Sequence, residues 1–175
     1  LTATVSTATF QDVTVSIDGT GGTGTEGTDF GTVSDITISA GSTTGTVTFD
    51  PTDDSTYEGN ETAGISVSGV SGGGASESGT QAVTITITDN ESAPTVTLAT
   101  SATSIAENAG SSLTLTATLS VATTADVTVA LSTSGTATEG TDYTDGSGVV
   151  DDITISAGST TGTVSFTPTD DSVYE

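Results

Sequence analysis

The sequence predicts an all-β protein made of tandem seven-stranded antiparallel β-sandwiches, and three observations carry that reading. Apolar residues alternate with Ser and Thr at period two in one short run after another, the pattern of half-buried strands. Clusters of Gly, Ser, Asp and Pro separate these runs, and no helical period appears. A 24-residue block also repeats: Asp35–Glu58 and Asp152–Glu175 agree at 21 of 24 positions, 117 residues apart. A period of that length is a whole domain and too long for one coil of a solenoid.

The elements follow in chain order. LTATVS at Leu1 returns as LTATLS at Leu115, and TEGTDF at Thr25 returns as TEGTDY at Thr138. In the first copy the alternating runs are Val13/Val15/Ile17, Ile36/Ile38, Val47/Phe49 and Ile65/Val67. QAVTITITD closes the copy, with Val83, Ile85 and Ile87 on one face and Thr84, Thr86 and Thr88 on the other. In the second copy they are Val96/Leu98, Leu113/Leu115/Leu119, Val127/Val129/Leu131, Ile153/Ile155 and Val164/Phe166. Overlaying the copies gives seven strands. Residues 1–92 then form a module lacking its first strand, and residues 93–175 form one lacking its last two. The absent strands are expected from the continuing polypeptide or from a neighbouring subunit. The link lies around Asn90–Pro94, where Pro94 cannot continue a ladder.

Composition removes whole classes of function. The chain has 23 acidic residues and no Lys, Arg or His, a formal charge of −23. Nothing in it can neutralise a phosphate, so nucleic acid and anionic membrane surfaces are excluded as partners. With no Cys, disulfides and thiolate metal sites are impossible. No apolar run approaches the length of a membrane span, so direct membrane insertion is not expected. Catalysis is not expected either. A Ser or Thr nucleophile has no His or Lys to activate it. A carboxylate pair acting on sugars would lack an aromatic platform, because there is no Trp and only seven Tyr and Phe.

The acids have a pattern. In a sandwich of successive antiparallel strands, alternate connections share one pole. SIAENAG brings Glu107 there, and the TEGTD loops bring Glu26, Asp29, Glu139 and Asp142. The PTDDS loops bring Asp53, Asp54, Glu58 and Glu61, and in the second copy Asp170, Asp171 and Glu175; the last strand of the first copy ends in Asp89-Asn90. The opposite pole reads mostly Ser, Thr, Ala and Gly. Without basic residues, this convergence is either a set of solvated loop acids or a cation site. Several hard oxygen donors from irregular loops suit Ca²⁺ better than the stricter octahedron of Mg²⁺.

Taken together, PTVTL, SIAENAG, GTATEGTDY, DITISAG, PTDDSxYEGNET and VTITITDNE resemble the Calx-β module. The resemblance covers the whole chain. It implies a seven-stranded sandwich of immunoglobulin-like architecture with Ca²⁺ at the loop pole. The ligands it implies are Asp29, Asp53, Asp54, Glu58, Glu61 and Asp89 in the first copy, and Glu107, Asp142, Asp170, Asp171 and Glu175 in the second. The sequence departs from the exchanger-like pattern at the last strand, which ends Asp89-Asn90-Glu91 where the family has a run of acids. One or two ions per complete module are therefore expected.

The expected function is a calcium-stabilised structural repeat of an extracellular fibre, adhesin stalk, biofilm matrix or surface-layer protein. The alternative is a calcium-dependent recognition or sensing module. Near-identical copies favour the structural reading, since a spacer needs many equivalent units and recognition needs a special one. Expected partners are neighbouring repeats of the same protein, with self-assembly into fibres; the expected location is secreted or cell-surface, in a bacterium. Asn60-Glu61-Thr62 and Asn90-Glu91-Ser92 are formal glycosylation sequons, read as coincidences of the loop motifs.

Overall fold

A computed structural model describes residues 1–147 and 150–172. The chain divides into two compact units. One comprises Leu1–Asp54 and Gly59–Asn90, the other Glu91–Glu175 together with Ser55–Glu58.

In the first unit, β1 (Thr2–Thr4) pairs antiparallel with β4 (Thr44–Thr46). A second sheet has the order β3 (Ile36–Ile38), β2 (Val13–Gly22), β6 (Glu61–Ser71), β7 (Ala82–Ile87), antiparallel throughout. The alternation predicted from sequence is what packs these sheets. Val13, Val15, Ile36 and Ile38 are buried as one cluster, and Phe30, Val33, Ala63 and Ile65 as another. Leu1, Ile17 and Val47 touch both clusters and join them into one core.

In the second unit, β5 (Thr56–Tyr57) runs parallel to β10 (Ala122–Thr123), and β11 (Val127–Val129) pairs with β13 (Ile153–Ile155). A four-stranded sheet has the order β12 (Tyr143–Thr144), β14 (Thr161–Pro168), β9 (Leu113–Leu119), β8 (Val96–Thr100). Ala117, Leu119, Ile153 and Ile155 form its buried cluster. A 3₁₀ turn at Glu107–Ala109 precedes β9, with Gly110 left-handed behind it.

Overlaying equivalent strands yields one full repeat: a sheet of β8, β9 or β1, and β14 or β4, with the two-residue β12 at its edge in the second copy, against a four-stranded one (β3 or β13, β2 or β11, β6, β7). The chain is an all-β tandem of sandwich repeats. Two strands differ in extent from the sequence pattern. β4 ends at Thr46, before Val47 and Phe49, whereas the equivalent β14 continues through Phe166, which pairs with Leu113. Leu131 falls outside β11 because its N–H goes to the carboxylate of Asp152 at 2.8 Å and leaves the ladder.

The two sheets approach closely at one repeated position. A Cβ on Gly45 would collide with the Thr37 carbonyl, and one on Gly162 with the Thr154 carbonyl. Glycine is required at both because backbone lies directly in the way.

Candidate metal centre

The TEGTD loops are built the same way in both copies. Asp29 Oδ2 accepts the Thr25 N–H at 2.6 Å, and Asp142 Oδ2 accepts the Thr138 N–H at 2.5 Å. Glu26 and Glu139 accept the N–H of Val33 and Val150 at 2.7 and 2.6 Å. An aromatic ring then anchors each loop in the core. Phe30 packs on Phe49 with centroids 5.1 Å apart, and Tyr143 stacks on Phe166 at 4.5 Å. Each carboxylate bonded by one oxygen keeps a second for another donor or a cation.

In the first copy this loop meets the following one. The Thr52 N–H donates to the Asp29 carbonyl at 2.9 Å. Asp29, Glu58 and Glu61 each bring one carboxylate oxygen within 4.8 Å of the other two, and all three residues are half-buried. Around them the loop is tied to the end of β7. Asp89 Oδ2 accepts the Gly59 N–H at 2.6 Å, and the Asp89 N–H donates to Asn60 Oδ1 at 3.1 Å. Asn90 Nδ2 donates to Asp53 Oδ1 at 3.0 Å. Asp54 follows Asp53 in the same loop and is not one of the three clustered acids.

In the second copy Glu107, Asp142 and the Asp170–Asp171 segment come together. Glu107 Oε1 accepts the Asp171 N–H at 3.1 Å, and the Asp142 carbonyl accepts the Thr169 N–H at 2.9 Å. Glu175 lies outside the described residues. Among the described residues, the three-acid group within 4.8 Å belongs to the first copy.

The acids do not all sort to this pole. Asp12 and Asp126 accept the N–H groups of Ala40 and Ala157, each at 2.8 Å, in the turns after β3 and β13 at the opposite end. Asp35 takes Ser16 Oγ and the Ile17 N–H, each at 3.1 Å, and Asp152 takes the Leu131 N–H. These four are backbone caps, which the sequence reading missed. Their signal was present: an acid repeated beside a strand end, in a chain without a cation to pair it, has the backbone amides as its donors.

Charge is felt most in the segment where the second copy carries extra residues. The Ser147 hydroxyl, helped by its N–H, pulls Asp145 down to about 2. The Asp145 charge in turn pushes Asp151 above its ordinary 3.8. Thr20 lowers Asp18 in the same manner.

The cluster Asp29–Glu58–Glu61 fits a hard divalent cation. It offers anionic oxygen only, it is partly withdrawn from water, and no Lys, Arg or His exists to neutralise it. Asp53 and Asp89, held at its margin, would complete the donor set; a bound Ca²⁺ would supply charge neutralisation and a link between the loops.

Comparison with known families matches residues 3–91 and again residues 89–175 to the Calx-beta domain. Comparison with curated proteins and with solved structures finds no match. The two matches span nearly the whole chain, which belongs to the Calx-beta family as a tandem pair of its domains.

Proposed function

We propose, on the premise of a tandem Calx-beta pair, that the chain is a calcium-stabilised structural repeat of an extracellular fibre, adhesin stalk, matrix or surface-layer protein. The observation that carries this reading is the approach of Asp29, Glu58 and Glu61 within 4.8 Å in a protein with no cationic side chain. Without a cation the three charges oppose folding of the loops; with one they tie the loops together. Near-identity of the copies supports a load-bearing role over a specialised one. Among the described residues no helix is long and apolar enough to cross a membrane, and this is compatible with a secreted or bacterial cell-surface location. Its partners on this reading are neighbouring repeats of the same protein.

Titration calorimetry of the whole chain with CaCl₂ tests the calcium step. Binding with a Kd of about 10⁻⁴–10⁻³ M is expected, the range of extracellular modules. Heats no larger than those of a Glu58→Gln variant would overturn it.

One observation favours a second reading, a calcium-dependent recognition module. Phe10 is fully exposed at the tip of the turn before β2, and Thr124 stands at the equivalent place in the other copy. It is a copy-specific apolar side chain, which recognition requires and a spacer does not.

A further inference from the structure

Asp50–Pro51 is the one Asp–Pro bond in the chain, and the second copy carries Thr167–Pro168 at the equivalent place. Two properties make such a bond easier to break than an ordinary amide. Proline supplies a tertiary nitrogen that has no N–H and takes up a proton readily as it leaves. The aspartate carboxyl stands one five-membered ring away from its own carbonyl carbon, so attack there is intramolecular.

The fold holds this bond in a clamp. Residues 29–31 run beside residues 50–52, with Phe30 bridged to Pro51. The Asp50 carbonyl accepts the Gly31 N–H at 2.9 Å, and the Thr52 N–H donates to the Asp29 carbonyl at 2.9 Å, one hydrogen bond on each side of the bond. Phe30 is fully buried and packs on Phe49 with centroids 5.1 Å apart, which anchors the residue before Asp50. Asp50 is exposed, within reach of water, and its Oδ2 accepts the Thr48 hydroxyl at 3.3 Å. The Gly31 N–H is aimed at the oxygen that turns negative when the carbonyl carbon is attacked, where a fixed donor counts most. The second copy repeats the clamp: the Thr169 N–H donates to the Asp142 carbonyl at 2.9 Å, and Tyr143 pairs with Pro168. Thr167 has no carboxyl to use it.

We infer that the first copy cuts its own chain between Asp50 and Pro51. An oxygen of the Asp50 carboxyl bonds to the Asp50 carbonyl carbon and closes a five-membered anhydride. The bond from that carbon to the Pro51 nitrogen breaks, and the carboxyl proton passes to the nitrogen through water. One water then opens the anhydride, leaving Asp50 as a C-terminus with two carboxyl groups and Pro51 as a free secondary amine. Nothing is oxidised or reduced, and water is the co-reactant. The titratable groups on the adjoining segments are Asp29, Asp53 and Asp54. Once cut, Pro51 becomes an ammonium two residues from Asp53, in a sequence without Lys, Arg or His. The cut therefore sets a cation at the head of the acidic loop. It needs no bound calcium and stands apart from the structural-repeat reading.

The test follows the whole chain in calcium-free buffer at about pH 5 and 37 °C. Samples are unfolded before intact-mass spectrometry, because β2 and β6 pair across the cut and hold the pieces together. Two products are expected, residues 1–50 and 51–175, with masses that sum to that of the chain plus one water. The folded chain should form them about tenfold faster, or more, than the same chain held in urea, because the clamp aligns the reacting groups. Asp50→Thr copies the second repeat and should abolish the cut. Thr167→Asp supplies the missing carboxyl and should open a second cut between residues 167 and 168; circular dichroism confirms that both variants fold. Equal rates in the folded and unfolded chain would overturn the inference, since the bond would then be labile by composition alone. Products that persist in Asp50→Thr, or a folded chain that stays whole while the unfolded one is cut, would overturn it as well. A folded Thr167→Asp chain left uncut at the new site would overturn the clamp.

Discussion

Replacing Glu58 by Gln should change the stability of the first copy in opposite directions with and without calcium. Asp29, Glu58 and Glu61 oxygens lie within 4.8 Å of one another, where a like-charged pair costs about 0.9 kcal/mol in water. Screening at 0.1 M salt reduces this to about 0.5 kcal/mol. Glu58→Gln removes two of the three pairs, so in chelator it should stabilise by about 1 kcal/mol. For a domain of this size that is a rise of roughly 4–8 °C in Tm. With Ca²⁺ at 100 times its Kd, the ion contributes about 2.7 kcal/mol, which the variant forfeits. The net is a loss of about 1.7 kcal/mol, a fall of roughly 7–14 °C. Differential scanning calorimetry at CaCl₂ 100 times the Kd found by calorimetric titration, and in EGTA, reads both arms. A fall of equal size in both buffers would refute the reasoning, because Glu58 would then be a structural residue and no ligand.

The other predictions separate caps, close approaches and titrating loops from the metal site. Asp152→Ala leaves the Leu131 N–H without its acceptor and should cost about 1–2 kcal/mol equally in calcium and in chelator, measured by the same melts. Gly162→Ala drives a methyl into the Thr154 carbonyl and should cost about 1–3 kcal/mol, whereas Thr163→Ala beside it should change Tm little. Asp145 should titrate near about 2 by carboxyl carbon NMR, so the stability it lends is complete above 3.8 and is lost as pH falls toward 2. Asp151 has the opposite sign: its pKa is raised, its proton favours the folded state, and Asp145→Asn should bring its titration back down.

Much of the architecture was legible because period-two alternation is itself the packing rule. Val13/Val15, Ile36/Ile38 and Ile153/Ile155 were read as inward and are buried. What was not legible depended on partners outside the local pattern. The β5–β10 pair is two residues long and parallel, too short to leave a periodic trace. At the acidic pole, some of the residues put forward from the sequence lie together. Asp29, Glu58 and Glu61 meet, and Glu107 reaches Asp171. The sequence could not separate ligands from caps, because an acid at a loop end satisfies either role. Asp29 has a place in both, accepting Thr25 N–H with one oxygen and standing in the three-acid cluster.

That dual use follows from having no basic side chain. A carboxylate here has backbone amides, hydroxyls, side-chain amides and bound cations as its possible partners. The first three are neutral dipoles that orient the acid without cancelling its charge. The caps are repeated in both copies: Asp12 with Asp126, Glu26 with Glu139, and Asp29 with Asp142 bond equivalent amides, while Asp35 and Asp152 cap neighbouring strand ends. Capping fixes the TEGTD loop through Asp29, which is also one of the three acids that stand close together. On the proposed calcium reading, a scaffold that organises its charges before they are neutralised would keep its shape under low calcium and stiffen when calcium rises. This is the behaviour the opposite signs of the Glu58→Gln variant would register.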